Sequence, residues 1–201
     1  MTKIKLKVPD NWSDITVRQY QQFMKVFESS KDEKTKSLEI VAIFCGLGKQ
    51  ELKRMDYKDL NKVSSIILKM TEKDPSEIGV ERNIKFKNIN YAMIPNMSKM
   101  TTGEFVDLET YCENSVDNLH KMMSVLYRKQ IGDVSRWDRY EVESYEPTQE
   151  KEESMLDLPM SYALGVLNFF FHLGDKLLTD SNSYLEKLKL NKMKAQRVRE
   201  G

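Results

Sequence analysis

Asn83-Ile84-Lys85-Phe86-Lys87-Asn88-Ile89-Asn90-Tyr91-Ala92-Met93-Ile94-Pro95 is the stretch that decides the fold. Ile84 and Phe86 alternate with Asn and Lys, and Tyr91 and Met93 alternate with their own neighbours. Successive side chains of a strand point to opposite faces, so this period of two predicts half-buried β-structure. Lys87-Asn88-Ile89-Asn90 has turn chemistry, and the whole reads as a β-hairpin. Nearly everything around it carries helical spacing. The predicted fold is therefore mainly α, a helical domain with a small antiparallel β-hairpin or sheet.

Towards the N-terminus, Lys3 to Val8 also alternate, placing Ile4, Leu6 and Val8 on one face of a strand that could join the hairpin. Thr16 and Gln19 have capping-box spacing, which satisfies two free amides at a helix start. Val17, Tyr20, Phe23, Met24 and Phe27 then form one apolar stripe. Residues 29–35 read as a loop and 36–45 as a second helix. Gly46 and Gly48 stop that helix, because glycine takes the left-handed conformation without a Cβ clash. A short helix over 49–55 and a longer one over 57–70 follow. Residues 71–82 are polar and contain Pro75 and Gly79, marking a boundary between a 1–75 part and an 83–201 part, expected to form one compact unit.

Towards the C-terminus, Thr101 and Glu104 repeat the capping box, with Phe105, Leu108 and Tyr111 expected on one buried face. A helix is predicted over 116–128. The 129–157 segment is the least patterned, with seven acids from Glu141 to Asp157 against Lys151 alone. Such a stretch reads as a mobile loop or a solvated helix. Pro159 opens an apolar helix at a position that tolerates its missing amide. A polar, basic helix over 181–198 closes the chain.

Composition narrows function by exclusion. The chain has 201 residues, 32 Lys plus Arg and 31 Asp plus Glu, so global charge gives no pull toward nucleic acid or membrane. No run approaches the ~20 apolar residues of a membrane-spanning helix. Cys45 and Cys112 are too few for a disulfide framework and read as buried reduced thiols. His120 and His172 lack partners at metal-ligand spacing, so no metal or other cofactor is expected. Gly46-Leu47-Gly48-Lys49 lacks phosphate-loop spacing and follows a helix. Cys112 and His120 are expected on different helix faces, which argues against a nucleophile pair. Nothing apolar encloses the acidic run, as a raised carboxylate pKa would require. These absences predict a soluble protein that is not an enzyme and that binds other proteins. The twelve methionines fit either adaptable contact surfaces or core filling.

Three blocks sharpen this. Phe86 to Tyr111, Asn118-Leu-His-Lys-Met-Met-Ser-Val-Leu-Tyr-Arg128 and Pro159-Met-Ser-Tyr-Ala-Leu-Gly-Val-Leu-Asn-Phe-Phe-Phe171 resemble tailed-bacteriophage virion-morphogenesis proteins, notably those of phages of Bacteroidota. Proteins with this pattern are labelled tail-assembly chaperones or virion proteins. The resemblance covers about residues 83–173 and implies a non-catalytic assembly or structural role. The partners would be other phage structural proteins in the tail or portal region, with homo-oligomerisation left open. The setting would be the virion, or the host cytoplasm during assembly. Two alternatives stand beside it, a packaged cargo protein ejected from the particle and a small nucleic-acid-binding regulator. Tyr91, Trp137 and Tyr140 are candidate partner-binding anchors, since aromatics dominate interfaces. Lys187, Lys189, Lys192, Lys194, Arg197 and Arg199 form a candidate basic patch. That patch could alternatively pair with the acidic 141–157 run.

Overall fold

A computed structural model describes residues 6–94, 100–131, 140–170 and 172. Helices α1 (Val17–Phe27), α2 (Glu33–Cys45), α3 (Lys49–Arg54) and α4 (Tyr57–Thr71) come first. Strands β1 (Asn83–Phe86) and β2 (Ile89–Met93) precede α5 (Thr102–Cys112) and α6 (Leu119–Leu126). Strands β3 (Tyr127–Ile131) and β4 (Glu141–Val142) and helix α7 (Gln149–Ser154) follow. Residues 160–170 are helical and are termed α8. The protein is thus mainly helical with one small four-stranded antiparallel sheet, as its sequence predicts.

The hairpin forms in the predicted place, with a tighter turn. Asn83 pairs with Ala92 and Phe86 with Ile89, leaving Lys87 and Asn88 as a two-residue loop. Both loop residues have positive φ, 48° and 64°. That geometry matches the right-handed twist of the flanking strands, and Asn tolerates it better than most residues.

The sheet order is β1-β2-β3-β4, so its remaining strands come from the 127–142 region. Leu6 to Val8 belong to no strand, contrary to the expected N-terminal addition, and Ile4 lies outside the described residues. The partner for β2 arises where helical spacing was expected to continue. Helix α6 ends at Leu126, and Tyr127 turns into β3, pairing with Met93. Ladder bonds to β2 and burial of Tyr127, whose hydroxyl donates to Glu81 O, outweigh the local helical pattern.

Helix starts follow their caps. Thr16 Oγ1 accepts from Gln19 N at 3.2 Å, and Gln19 Oε1 accepts from Thr16 N at 2.9 Å. Helix α2 begins three residues before the predicted start, because Asp32 Oδ1 accepts from Thr35 N at 3.0 Å. It stops at Gly46, which has φ 65°. Phe27 projects outward at the last turn of α1 rather than joining the buried stripe. The Lys36 ammonium lies over its ring.

One apolar cluster joins both parts of the chain. It includes Val17, Phe44 and Met70 from the first helices and Ile84, Leu126 and Val166 from the later elements. Met70, Met93, Met122, Met123, Met155 and Met160 are all buried, which assigns those thioethers to core filling. Two stitches tie distant segments to this core. Val17 N donates to Leu158 O and Met160 N donates to Ile15 O, both at 2.9 Å, so the entry to α1 runs antiparallel to the entry to α8. Asn168 Nδ2 donates to Pro75 O at 2.6 Å and Ile78 O at 3.0 Å. Gly165 is also buried beneath that segment. A Cβ there would collide with Gly79 O and lie 3.2 Å from Val80 Cα. The polar 71–82 stretch is accordingly strapped onto α8.

Candidate protein-binding face

Helix α5 is oriented by its own first turn. Thr101 Oγ1 accepts from Glu104 N at 3.3 Å, and Glu104 Oε2 accepts from Thr101 N. A capping-box carboxylate is ordinarily at a surface. Here Glu104 is 2% exposed, and its Oε1 lies 2.7 Å from Nη2 of Arg128, whose side chain is 11% exposed. Arg128 points inward from β3, so it draws the carboxylate into the protein. Two charges out of water are tolerated only when paired and hydrogen-bonded, as these are.

With Glu104 inward, the helical period fixes the rest of α5. Leu108 and Tyr111 pack partly against the core, while Phe105 and Val106 face solvent at 58% and 49% exposure. Leu108 and Tyr111 thus lie on the expected inward face, and Phe105 is the residue corrected. At the first turn Glu104, four residues before Leu108, takes the inward position, and Phe105 beside it faces solvent.

The flank of α5 is held by the 143–154 segment. Tyr145 Oη donates to Asp107 Oδ2 at 2.6 Å, and Tyr111 Oη donates to Glu152 Oε1 at 3.1 Å. The Lys121 ammonium sits 5.4 Å from the centre of the Tyr111 ring. Burial, then the bond to Glu152, pushes the Tyr111 hydroxyl up to about 12. Burial and the bond to Asp107 raise Tyr145 well above the ordinary tyrosine range. Both phenols are thus protonated donors at neutral pH. Of the stretch read as a mobile loop or a solvated helix, Gln149–Ser154 form α7, a helix with no buried residue, while Glu141–Val142 form β4 instead.

Of the predicted anchors, Tyr91 and Tyr140 lie within the described residues. Tyr140 is 4% exposed and donates its hydroxyl to Met93 O at 2.8 Å, so it is a core residue rather than a surface anchor. Tyr91 is half-buried on β2, its ring 6.2 Å from that of Phe86. Trp137 lies outside the described residues, as do Lys187, Lys189, Lys192, Lys194, Arg197 and Arg199. On α5 the exposed aromatic that spacing assigns to the buried face is Phe105. A signal existed, since a capping box fixes the phase of a helix. It needed Arg128 to be read as its partner.

The remaining chemistry-bearing groups are placed as follows. Cys45 is half-buried, and burial pushes its thiol up to about 11. Cys112, the last residue of α5, is exposed, contrary to the buried thiol expected. Gln21 is buried, and its Nε2 donates to Val116 O and Asp117 O at 2.8 Å and approaches His120 Nδ1 at 3.1 Å. Among the described residues no group of three or more His, Cys, Asp or Glu is disposed to hold a metal ion. No described helix is long and apolar enough to cross a membrane. A cavity of about 210 Å³ lies beside Phe44, Cys45 and Gly46, below the size of most small-molecule sites.

The described residues define a mainly helical protein with a small antiparallel sheet and an outward-facing apolar pair on α5. No protein-family model matches the chain, and no curated protein or solved structure matches it.

Proposed function

We propose that this chain is a non-catalytic protein that binds other virion proteins of a tailed bacteriophage, acting in the tail or portal region. The observation that carries the binding half is the Phe105–Val106 pair, exposed on a helix whose orientation is locked by the buried Glu104–Arg128 ion pair. Apolar side chains held rigidly at a surface lose little conformational freedom when a partner covers them, so their burial is available for association. The phage setting rests on the resemblance of residues 83–173 to virion-morphogenesis proteins.

The test is co-elution of the purified chain with tail or portal proteins of phages of Bacteroidota that encode it. The expected result is a stable complex with at least one of them. Elution as a lone monomer beside every structural protein of its genome neighbourhood would overturn the proposal. Mass spectrometry of purified particles then separates an assembly factor, absent from the particle, from a retained component.

A further inference from the structure

Residues 102–113 and 140–154 together carry ten Asp or Glu and a single Lys, Lys151. These two segments are joined by the Tyr145–Asp107 and Tyr111–Glu152 hydrogen bonds, so the acids of 140–154 flank the helix that carries Glu109 and Glu113. Few cations reach it from other elements. Arg128 is consumed by Glu104, Lys151 lies 3.3 Å from Glu143, and Lys121 stands over the Tyr111 ring. Glu109, Glu113, Glu146, Glu150 and Glu153 remain exposed. On α5 itself, Glu109 follows Phe105 by four residues and Val106 by three, placing it beside both on the outward face. Glu113 stands one further turn along. An apolar pair is thereby continued by carboxylates along one line.

We infer that this face of α5 docks a basic segment of a partner protein, one that carries an apolar stripe as well as lysines or arginines. The inference rests on the protein-binding reading above and names the chemistry of the partner. An acidic or neutral segment would bring like charge or unpaired carboxylates to the surface. A basic segment without apolar side chains would leave Phe105 and Val106 wet. Lysines and arginines on the partner meet Glu109 and Glu113 while apolar side chains cover the pair. Electrostatic attraction of this kind speeds encounter, and the apolar contact sets the lifetime.

The test is fluorescence anisotropy with the full chain and three labelled 16-residue peptides of designed sequence. One is basic with a leucine stripe at helical spacing, one has the same charge with serine in place of leucine, and one has the stripe with glutamates. The striped basic peptide is expected to bind at least tenfold more tightly than either other. Phe105→Ser combined with Val106→Ser should weaken it at least tenfold. Glu109→Gln combined with Glu113→Gln should weaken it and flatten its salt dependence. Circular dichroism of both variants is expected to match the parent, since the substituted side chains are exposed. Equal binding of the two basic peptides, or indifference to the Phe105 and Val106 changes, overturns the inference. Tighter binding after removal of residues 181–201 would identify this chain's own basic end as the occupant and would also overturn it. If the complex with a tail or portal protein survives the Phe105 and Val106 changes, this docking face is refuted while the proposed function stands. If the parent chain forms no such complex, the proposed function itself fails.

Discussion

Replacing Arg128 with Met removes the cation that holds Glu104 inside the protein. Glu104 is 2% exposed and Arg128 11%, and the two meet at 2.7 Å. Arg128 Nε finds no further hydrogen-bond partner among the described residues, so the contact to Glu104 is its principal anchor. Breaking a buried pair from one side costs about 3–5 kcal/mol, because the surviving charge stays desolvated. The Arg128 side chain keeps some exposure, which places the expected loss near the lower end, about 3 kcal/mol. In a chain of this size that lowers the melting temperature by roughly 6–12 °C. Glu104→Gln should cost a similar amount, now stranding Arg128. Gln can still accept from Thr101 N, so the cap survives. The double variant removes both charges and should lose less than ~2 kcal/mol, well short of the sum. Urea unfolding followed by circular dichroism measures all four proteins, with an unchanged slope confirming comparable states. A coupling of about 4 kcal/mol is expected from the cycle, the two single losses less that of the double variant. Single losses below ~1 kcal/mol that simply add would show a surface-type ion pair. In that case Glu104 does not set the orientation of α5.

Three other changes have defined outcomes. Gly165→Ala should destabilise by about 1–3 kcal/mol, because its methyl group meets the backbone of Gly79 and Val80 rather than a movable side chain, and thermal denaturation would show it. Asn88→Gly should be neutral or slightly stabilising while Asn88→Val costs about 1–2 kcal/mol, since φ is 64° there; equal melting temperatures for the two variants would contradict the two-residue turn. Burial, reinforced by Lys121 and Arg18 against the opposing Glu152 and Glu153, holds His120 below the ordinary histidine range. The unfolded chain therefore takes up the proton first, and stability is complete above pH ~6.5 and declines as pH falls below it. The urea midpoint should drop between pH 7.5 and 5.5 in the parent protein, and a His120→Gln variant should lose most of that slope.

What the sequence made legible was local. The Thr16–Gln19 and Thr101–Glu104 boxes, the Gly46 stop and the alternation at Ile84 and Phe86 each depend on neighbours within a few residues. What escaped depended on partners far along the chain. Tyr127 and Arg128 continue the helical spacing of α6, yet they become strand because β2 lies alongside. The outward turn of Phe105 follows from a glutamate that only Arg128, 24 residues later, makes bearable inside. Tyr140 reads as a surface aromatic in an acidic, polar stretch, and its burial depends on Met93 O accepting its hydroxyl proton. The methionines were ambiguous between core and surface because an unbranched thioether suits both, and packing resolved six of them as core.

The antiparallel stitch between the entries to α1 and α8 has a consequence during synthesis. Ser13 bonds to Ser161 across 148 residues, and Val17 and Ile15 take their backbone partners from Leu158 and Met160. A ribosome adding ~5–20 residues per second needs roughly 7–30 s to make the later strand of that stitch after the earlier one has been made. Through that interval α1 is present without the segment that completes its surroundings, and Val17 waits uncovered. Helix α1, made early, is thus among the last to be sealed, and a nascent chain stalled before residue 158 would present that apolar stripe to whatever is nearby.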